Sequence, residues 1–310
     1  MSQPSADHGF DAFRLARRSL IPGTLLALLS AGLYGANIPA ARVASQAGMR
    51  GADLIAYRAM ILVPLLFLIA RIAGVSLRLS PAQLWPSLRL GLAASLTATF
   101  YLSALDHLAV PMAVVIFYTF PLFVMLLSNR IARRRLSLTQ IGVFIIAFCG
   151  LVLAVGPSLS GLAPLGVLFA LFGALACAAL FLVAGDVENA PLRSFFWTQV
   201  IAAPVALGFA TLNGGLVPLS TFAKAPIAIA IAMGAYAVAF VLQLMASARI
   251  SPGRTSLLFL FEPVMAILVA GLVLNEQISW LQIAGVGLIL VGLAAEILLG
   301  AREPGNAPDA

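Results

Sequence analysis

Stretch after stretch of this 310-residue chain is apolar for about as long as a helix needs to cross a bilayer. Such a helix takes about 20 mostly apolar residues. Runs of this kind are read near 23–43, 53–71, 84–105, 109–129, 138–156, 164–184, 193–212, 225–247, 254–274 and 280–300. Hydrophobic residues make up 62% of the chain and charged residues 9%, and the mean hydropathy of +1.07 lies outside the range of a soluble globular domain. The runs are continuous and long, whereas barrel strands alternate apolar and polar residues over about ten positions, so helices are expected. The fold class that follows is an all-α polytopic membrane protein with ten transmembrane helices.

A net charge of +7 would point to nucleic acid in a soluble protein. Here position explains it better. With the amino terminus in the cytoplasm, fourteen of the eighteen basic residues fall on cytoplasmic segments: Arg14, Arg17, Arg18, Arg71, Arg78, Arg89, Arg130, Arg133, Arg134, Arg135, Arg193, Arg249, Arg254 and Arg302. Arg42, Arg50 and Lys224 fall outside, and Arg58 lies within a run. That bias follows the positive-inside rule and places both termini in the cytoplasm, with an even number of spans. Arg17 and Arg18 before an apolar stretch also resemble the start of a signal peptide, but the stretch is long enough to span. The expected division is a cytoplasmic amino-terminal segment 1–22, repeats at 23–156 and 157–300, and a tail 301–310.

The repeats emerge when the chain is shifted by 142 residues. Phe117 then meets Phe259, Pro121 meets Pro263, Leu126 meets Leu268, and the Ser137, Gln140, Ile141 register meets Ser279, Gln282 and Ile283. An odd number of spans per repeat forces the second copy to enter the membrane inverted. Inverted repeats build a solute site near the midplane, where the halves meet. Pro111 and Pro121 in span four match Pro252 and Pro263 around span nine, and Pro64 in span two matches Pro204 in span seven. A proline inside a helix frees a carbonyl that must find another donor or face a water-filled cavity, so these positions are read as helix interruptions or, equally, as packing kinks.

Leu33-Tyr34-Gly35-Ala36-Asn37, Tyr101-Leu102-Ser103-Ala104-Leu105, Phe261-Glu262-Pro263 and Leu274-Asn275-Glu276-Gln277-Ile278-Ser279 resemble the two EamA-type repeats of the drug/metabolite transporter superfamily. The resemblance covers about residues 22–300. It implies two inverted five-helix repeats around a central solute path, in a bacterial inner membrane, exporting amino acids or related metabolites. The fourth helix of such repeats ends near an acidic turn, kept here as Glu276. The first copy has Arg134 at that position, and Phe120 where the second has Glu262, so the halves have diverged.

An ionisable group inside an apolar run is costly without a partner and is a functional candidate by default. Glu262 is the foremost: either a protonatable group that couples proton movement to solute movement or binds an amine, or an acid that hydrogen-bonds the backbone opened by Pro263. Arg58 offers a planar fork to a solute carboxylate, or snorkels to the surface. Tyr34, Asn37, Tyr101 and Gln243 supply neutral polar groups for solute contact or for helix association. The 142-residue shift sets Gln243 opposite Tyr101. Phe195, Phe196 and Trp197, and Phe117 with Phe120, could wall a solute path or simply fill the core. Asp106-His107 read as a solvated turn, and Glu296 as interfacial or paired. Cys149 and Cys177 lack metal-ligand spacing and read as buried small hydrophobes.

No nucleotide-binding loop, metal cluster or nucleophile with a matching base is visible, and no cofactor is expected. The chain is therefore not read as an enzyme. The expected activity is secondary transport of a small, amino-acid-like solute by alternating access, with possible proton coupling. A facilitator, a channel and a non-transporting membrane sensor are the alternatives.

Overall fold

The computed structural model describes residues 7–131, 138–157, 162–185, 190–212 and 214–299. Among them there are twelve α-helices and no strand: α1 (Asp7–Gln46), α2 (Gly51–Ile72), α3 (Pro81–Leu105), α4 (Val110–Phe117), α5 (Phe120–Ile131), α6 (Leu138–Val155), α7 (Pro164–Ala184), α8 (Pro191–Leu212), α9 (Pro226–Ser247), α10 (Pro252–Leu258), α11 (Phe261–Val273) and α12 (Trp280–Leu299). A short 3₁₀ helix, Leu219–Lys224, precedes α9. Taking α4 with α5 and α10 with α11 as single broken spans gives ten segments long and apolar enough to cross a membrane, the first running Pro22–Gln46.

Prolines set where these helices start and break. Pro81, Pro164, Pro191, Pro226 and Pro252 are each the first residue of their helix, where the missing N–H is no loss. Pro111 is likewise in the first turn of α4. Pro111 and Pro252 are thus helix starts and not the interruptions expected of them. The breaks fall at Tyr118-Thr119 and Phe259-Leu260, just ahead of Pro121 and Pro263. They fall within one residue of equivalence under the 142-residue shift, since 259 − 118 = 141.

Each face of the bundle is named here by α1: proximal at Pro22, where its membrane segment begins, and distal at Gln46. The spans alternate between the faces. Packing follows the repeat: α1 lies along α9 as α3 lies along α7, α2 meets α8, and α6 meets α12. At the last contact a Cβ added to Gly285 would stand 2.5 Å from the backbone of Gly150 and Ala154, so only glycine allows that approach. Large apolar side chains such as Phe67, Trp85, Phe172 and Trp280 are exposed on the outside of the bundle, as a lipid-facing surface requires.

One relation of the broken spans is asymmetric. On the proximal face α5 packs against α10, while their counterparts on the distal face, α4 and α11, make no comparable contact.

Candidate functional site

Both helix breaks border a cavity of about 180 Å³ between the repeats. Glu262 enters it from the first turn of α11, where the positive end of the helix dipole favours a carboxylate. Its side-chain neighbour is Tyr118 at the other break. Phe117, Phe120, Phe181 and Phe259 form the apolar wall, with the Phe181 and Phe259 rings 4.8 Å apart and edge-on.

Arg58 reaches the same cavity from α2. It is 9% exposed, its guanidinium carbon lies 3.3 Å from the centre of the Tyr236 ring, and its Nε has no hydrogen-bond partner. Gln199 on α8 donates from Nε2 to the Tyr236 hydroxyl at 3.4 Å, tying the ring to a third helix. Tyr34 donates to Oε1 of Gln243 at 3.1 Å, and its ring meets Tyr236 edge-on at 5.9 Å. Glu262 and Arg58 form no ion pair with each other, so the cavity holds an acid and a base at separate places on its wall.

Of the candidates read from sequence, Glu262, Arg58, Tyr34 and Gln243 line the cavity. Asn37 and Tyr101 do not; the Tyr101 ring packs on Phe117 at 4.8 Å, and Asn37 lies further along α1 with a buried Oδ1 lacking a hydrogen-bond partner. Tyr236, Gln199 and Cys177 line it without having been singled out for it. A signal for Tyr236 existed: it stands seven residues before Gln243, two helical turns away on the same face of α9. Cys149, expected buried, is exposed on α6.

Other charges lie elsewhere. Arg254, expected on a cytoplasmic segment, is 2% exposed within α10 and paired at 3.6 Å with Glu296 of α12, itself fully buried. Placing a basic residue beside the Pro252 turn suggests a loop, but α10 has already begun there. Arg42 bonds Glu276 at 2.5 Å on the distal face. The Trp197 indole turns away from the cavity, and His107 stacks on Phe169 at 5.8 Å. Arg133, Arg134, Arg135, Ser137 and Arg302 lie outside the described residues.

Ten apolar spans in two inverted repeats, with broken helices meeting at a part-polar central cavity, define a membrane transporter. The chain belongs to the EamA-like transporter family, whose model matches residues 21–156 and 164–296 and so both repeats. A solved structure titled "Crystal structure of protein" has the same fold at 20% identity, with a TM-score of 0.73 over 90% of this chain and 98% of that one. No curated protein matches the sequence.

Proposed function

We propose that this protein is a secondary transporter that moves a small, amino-acid-like solute across a bacterial inner membrane by alternating access, in the direction of export, with both termini in the cytoplasm. The observation that carries the reading is the placement of Arg58 and Glu262 on one cavity wall without a bond between them. A guanidinium with a spare donor suits a solute carboxylate, and a carboxylate at a helix start suits an amine. The aromatic side chains that line the same cavity suit a modest apolar body. Glu262 doubles as the proton carrier: protonated it is neutral, ionised it attracts a cation, and the two states favour different conformations.

The test is flux of a labelled amino-acid and metabolite panel in proteoliposomes, with and without an imposed pH gradient, for wild type and Glu262→Gln. Gradient-driven flux in the wild type, lost in a variant that purifies equally well, is expected. Unchanged coupling in Glu262→Gln removes that residue from the proton role. Flux indifferent to the gradient makes the protein a facilitator, and no flux from any member of the panel favours the sensor reading.

A further inference from the structure

Two hydrogen bonds on opposite faces of the bundle are copies of one another. On the distal face the Tyr57 hydroxyl of α2 donates to the Val217 carbonyl in the α8–α9 loop. On the proximal face Nε1 of Trp197 on α8 donates to the Leu77 carbonyl in the α2–α3 loop, at 2.8 Å. Donor and acceptor are displaced by the same amount, 197 − 57 = 140 and 217 − 77 = 140, which is also the offset between the starts of α2 and α8, 191 − 51 = 140. In each case an aromatic N–H or O–H in the second turn of one repeat's second span grips the loop that follows the other repeat's second span.

Charged groups reinforce both clasps. Asp53, fully buried, accepts from the Val217 N–H at 3.3 Å and from Arg50 at 2.6 and 2.8 Å, and Arg50 also bonds the Gly215 carbonyl. Arg193 reaches the Arg78 carbonyl at 3.4 Å. The Tyr57 ring packs edge-on against Phe222 at 5.0 Å.

In an inverted-repeat carrier each half takes up, in one state, the shape its partner has in the other. Features identical in both halves within a single state therefore do not change between states, and features that differ do. The clasps are formed on both faces at once, whereas α5 packs on α10 and α4 makes no comparable contact with α11. We infer that the Tyr57 and Trp197 clasps stay closed throughout the cycle and hold α2 and α8 as a fixed frame, against which the broken spans exchange their contacts. Arg58, next to Tyr57, then keeps its place while the wall carrying Glu262 moves. The inference rests on the alternating-access reading above.

The same symmetry names a contact absent from this state. Gly253 lies against Met125, with an added Cβ 3.7 Å from its Cγ, and against Ser128. Subtracting and adding 142 gives Pro111 opposite Ile267 and Ala270, on the distal face.

The test is made in membranes, on a Cys149→Ser, Cys177→Ala background carrying Pro111→Cys with Ile267→Cys, or with Ala270→Cys as a second pair. Oxidation is expected to join α4 to α11. The clasps are then fixed independently, by replacing Tyr57 or Trp197 with photoreactive benzoylphenylalanine and irradiating, which captures segment 214–218 or 74–79. Undiminished disulfide yield after either capture is the expected result. Loss of the disulfide on capture overturns the fixed frame, because the clasp must open for the exchange. Failure of both cysteine pairs before capture overturns the exchange itself. The readout needs no solute, so an absence of flux across the panel would sink the transport reading separately.

Discussion

The Arg58 guanidinium stands 3.3 Å over the ring of Tyr236, a contact that joins the second span of one repeat to the third span of the other across the cavity. A guanidinium stacked on an aromatic face keeps its edge free, so its N–H donors remain available to a planar anion. The Tyr236 hydroxyl is in turn the acceptor for Gln199 at 3.4 Å, which links the far end of the ring to α8.

Removing the ring should therefore weaken solute binding. A cation–π contact of about 1–2 kcal/mol in a desolvated site corresponds to about a tenfold loss of affinity in Tyr236→Ala. Tyr236→Phe keeps the ring face and should stay close to wild type. Arg58→Lys keeps the charge but loses both the stack and the fork, and should resemble Tyr236→Ala or be worse. Half-saturating concentrations for flux in proteoliposomes separate these outcomes, and an unaltered Tyr236→Ala would show that the stack does not position Arg58.

A second prediction concerns the buried pair Arg254 and Glu296, 3.6 Å apart and 2% and 0% exposed. Breaking such a pair leaves one charge in a low-dielectric interior and costs about 3–5 kcal/mol, while replacing both partners with apolar groups is often close to neutral. Arg254→Met and Glu296→Leu should each lower the melting temperature in detergent, and the double variant should recover most of the loss. Additive losses in the double variant would show that the two residues act independently.

The spans were legible because twenty-residue apolar runs have few alternatives in lipid, and the sequence-based boundaries near 138–156 and 164–184 fall within a residue of α6 and α7. The inverted repeat was legible in the Pro121 and Pro263 register, and the helices do break just before both. What a sequence pattern does not carry is azimuth. Tyr101 and Gln243 occupy equivalent positions under the 142-residue shift, yet Gln243 faces the cavity and Tyr101 packs on Phe117. Arg254 shows the same limit: a basic residue one turn from a span end looks solvated until the partner helix, here α12 with Glu296, is known.

Gly35 offers a third test, at the crossing of α1 and α11. A Cβ there would lie 2.3 Å from the Glu262 carbonyl oxygen, 2.7 Å from Met265 Cβ and 3.0 Å from the Ala266 nitrogen. Two of these atoms are backbone, so α11 as a whole must shift, at a cost of about 1–3 kcal/mol. Gly35→Ala should lower both thermal stability and flux, since the displaced helix carries Glu262. Gly234→Ala on α9, which has open space around it, should change neither. Equal behaviour of the two variants would refute the close crossing.

The last prediction bears on the proximal closure. A Cβ added to Gly253 on α10 would stand 3.7 Å from Met125 Cγ on α5, with Met125 Cβ beyond 4 Å, so paired cysteines should oxidise after only a small local adjustment, since bridged Cβ atoms stand about 4 Å apart. In the Cys149→Ser, Cys177→Ala background, Met125→Cys with Gly253→Cys should form a disulfide readily and hold the proximal ends of the broken spans together. A carrier that must part α5 from α10 to release its solute would then stop, and reduction would restart it. A channel or facilitator whose path does not cross this contact would continue to pass solute with the bond intact. Flux before oxidation, after oxidation and after reduction, measured on the same vesicles, therefore discriminates the two mechanisms without knowledge of the driving ion. Because oxidation and reduction are compared on one preparation, a folding defect in the paired variant would lower all three rates and could not mimic a reversible block.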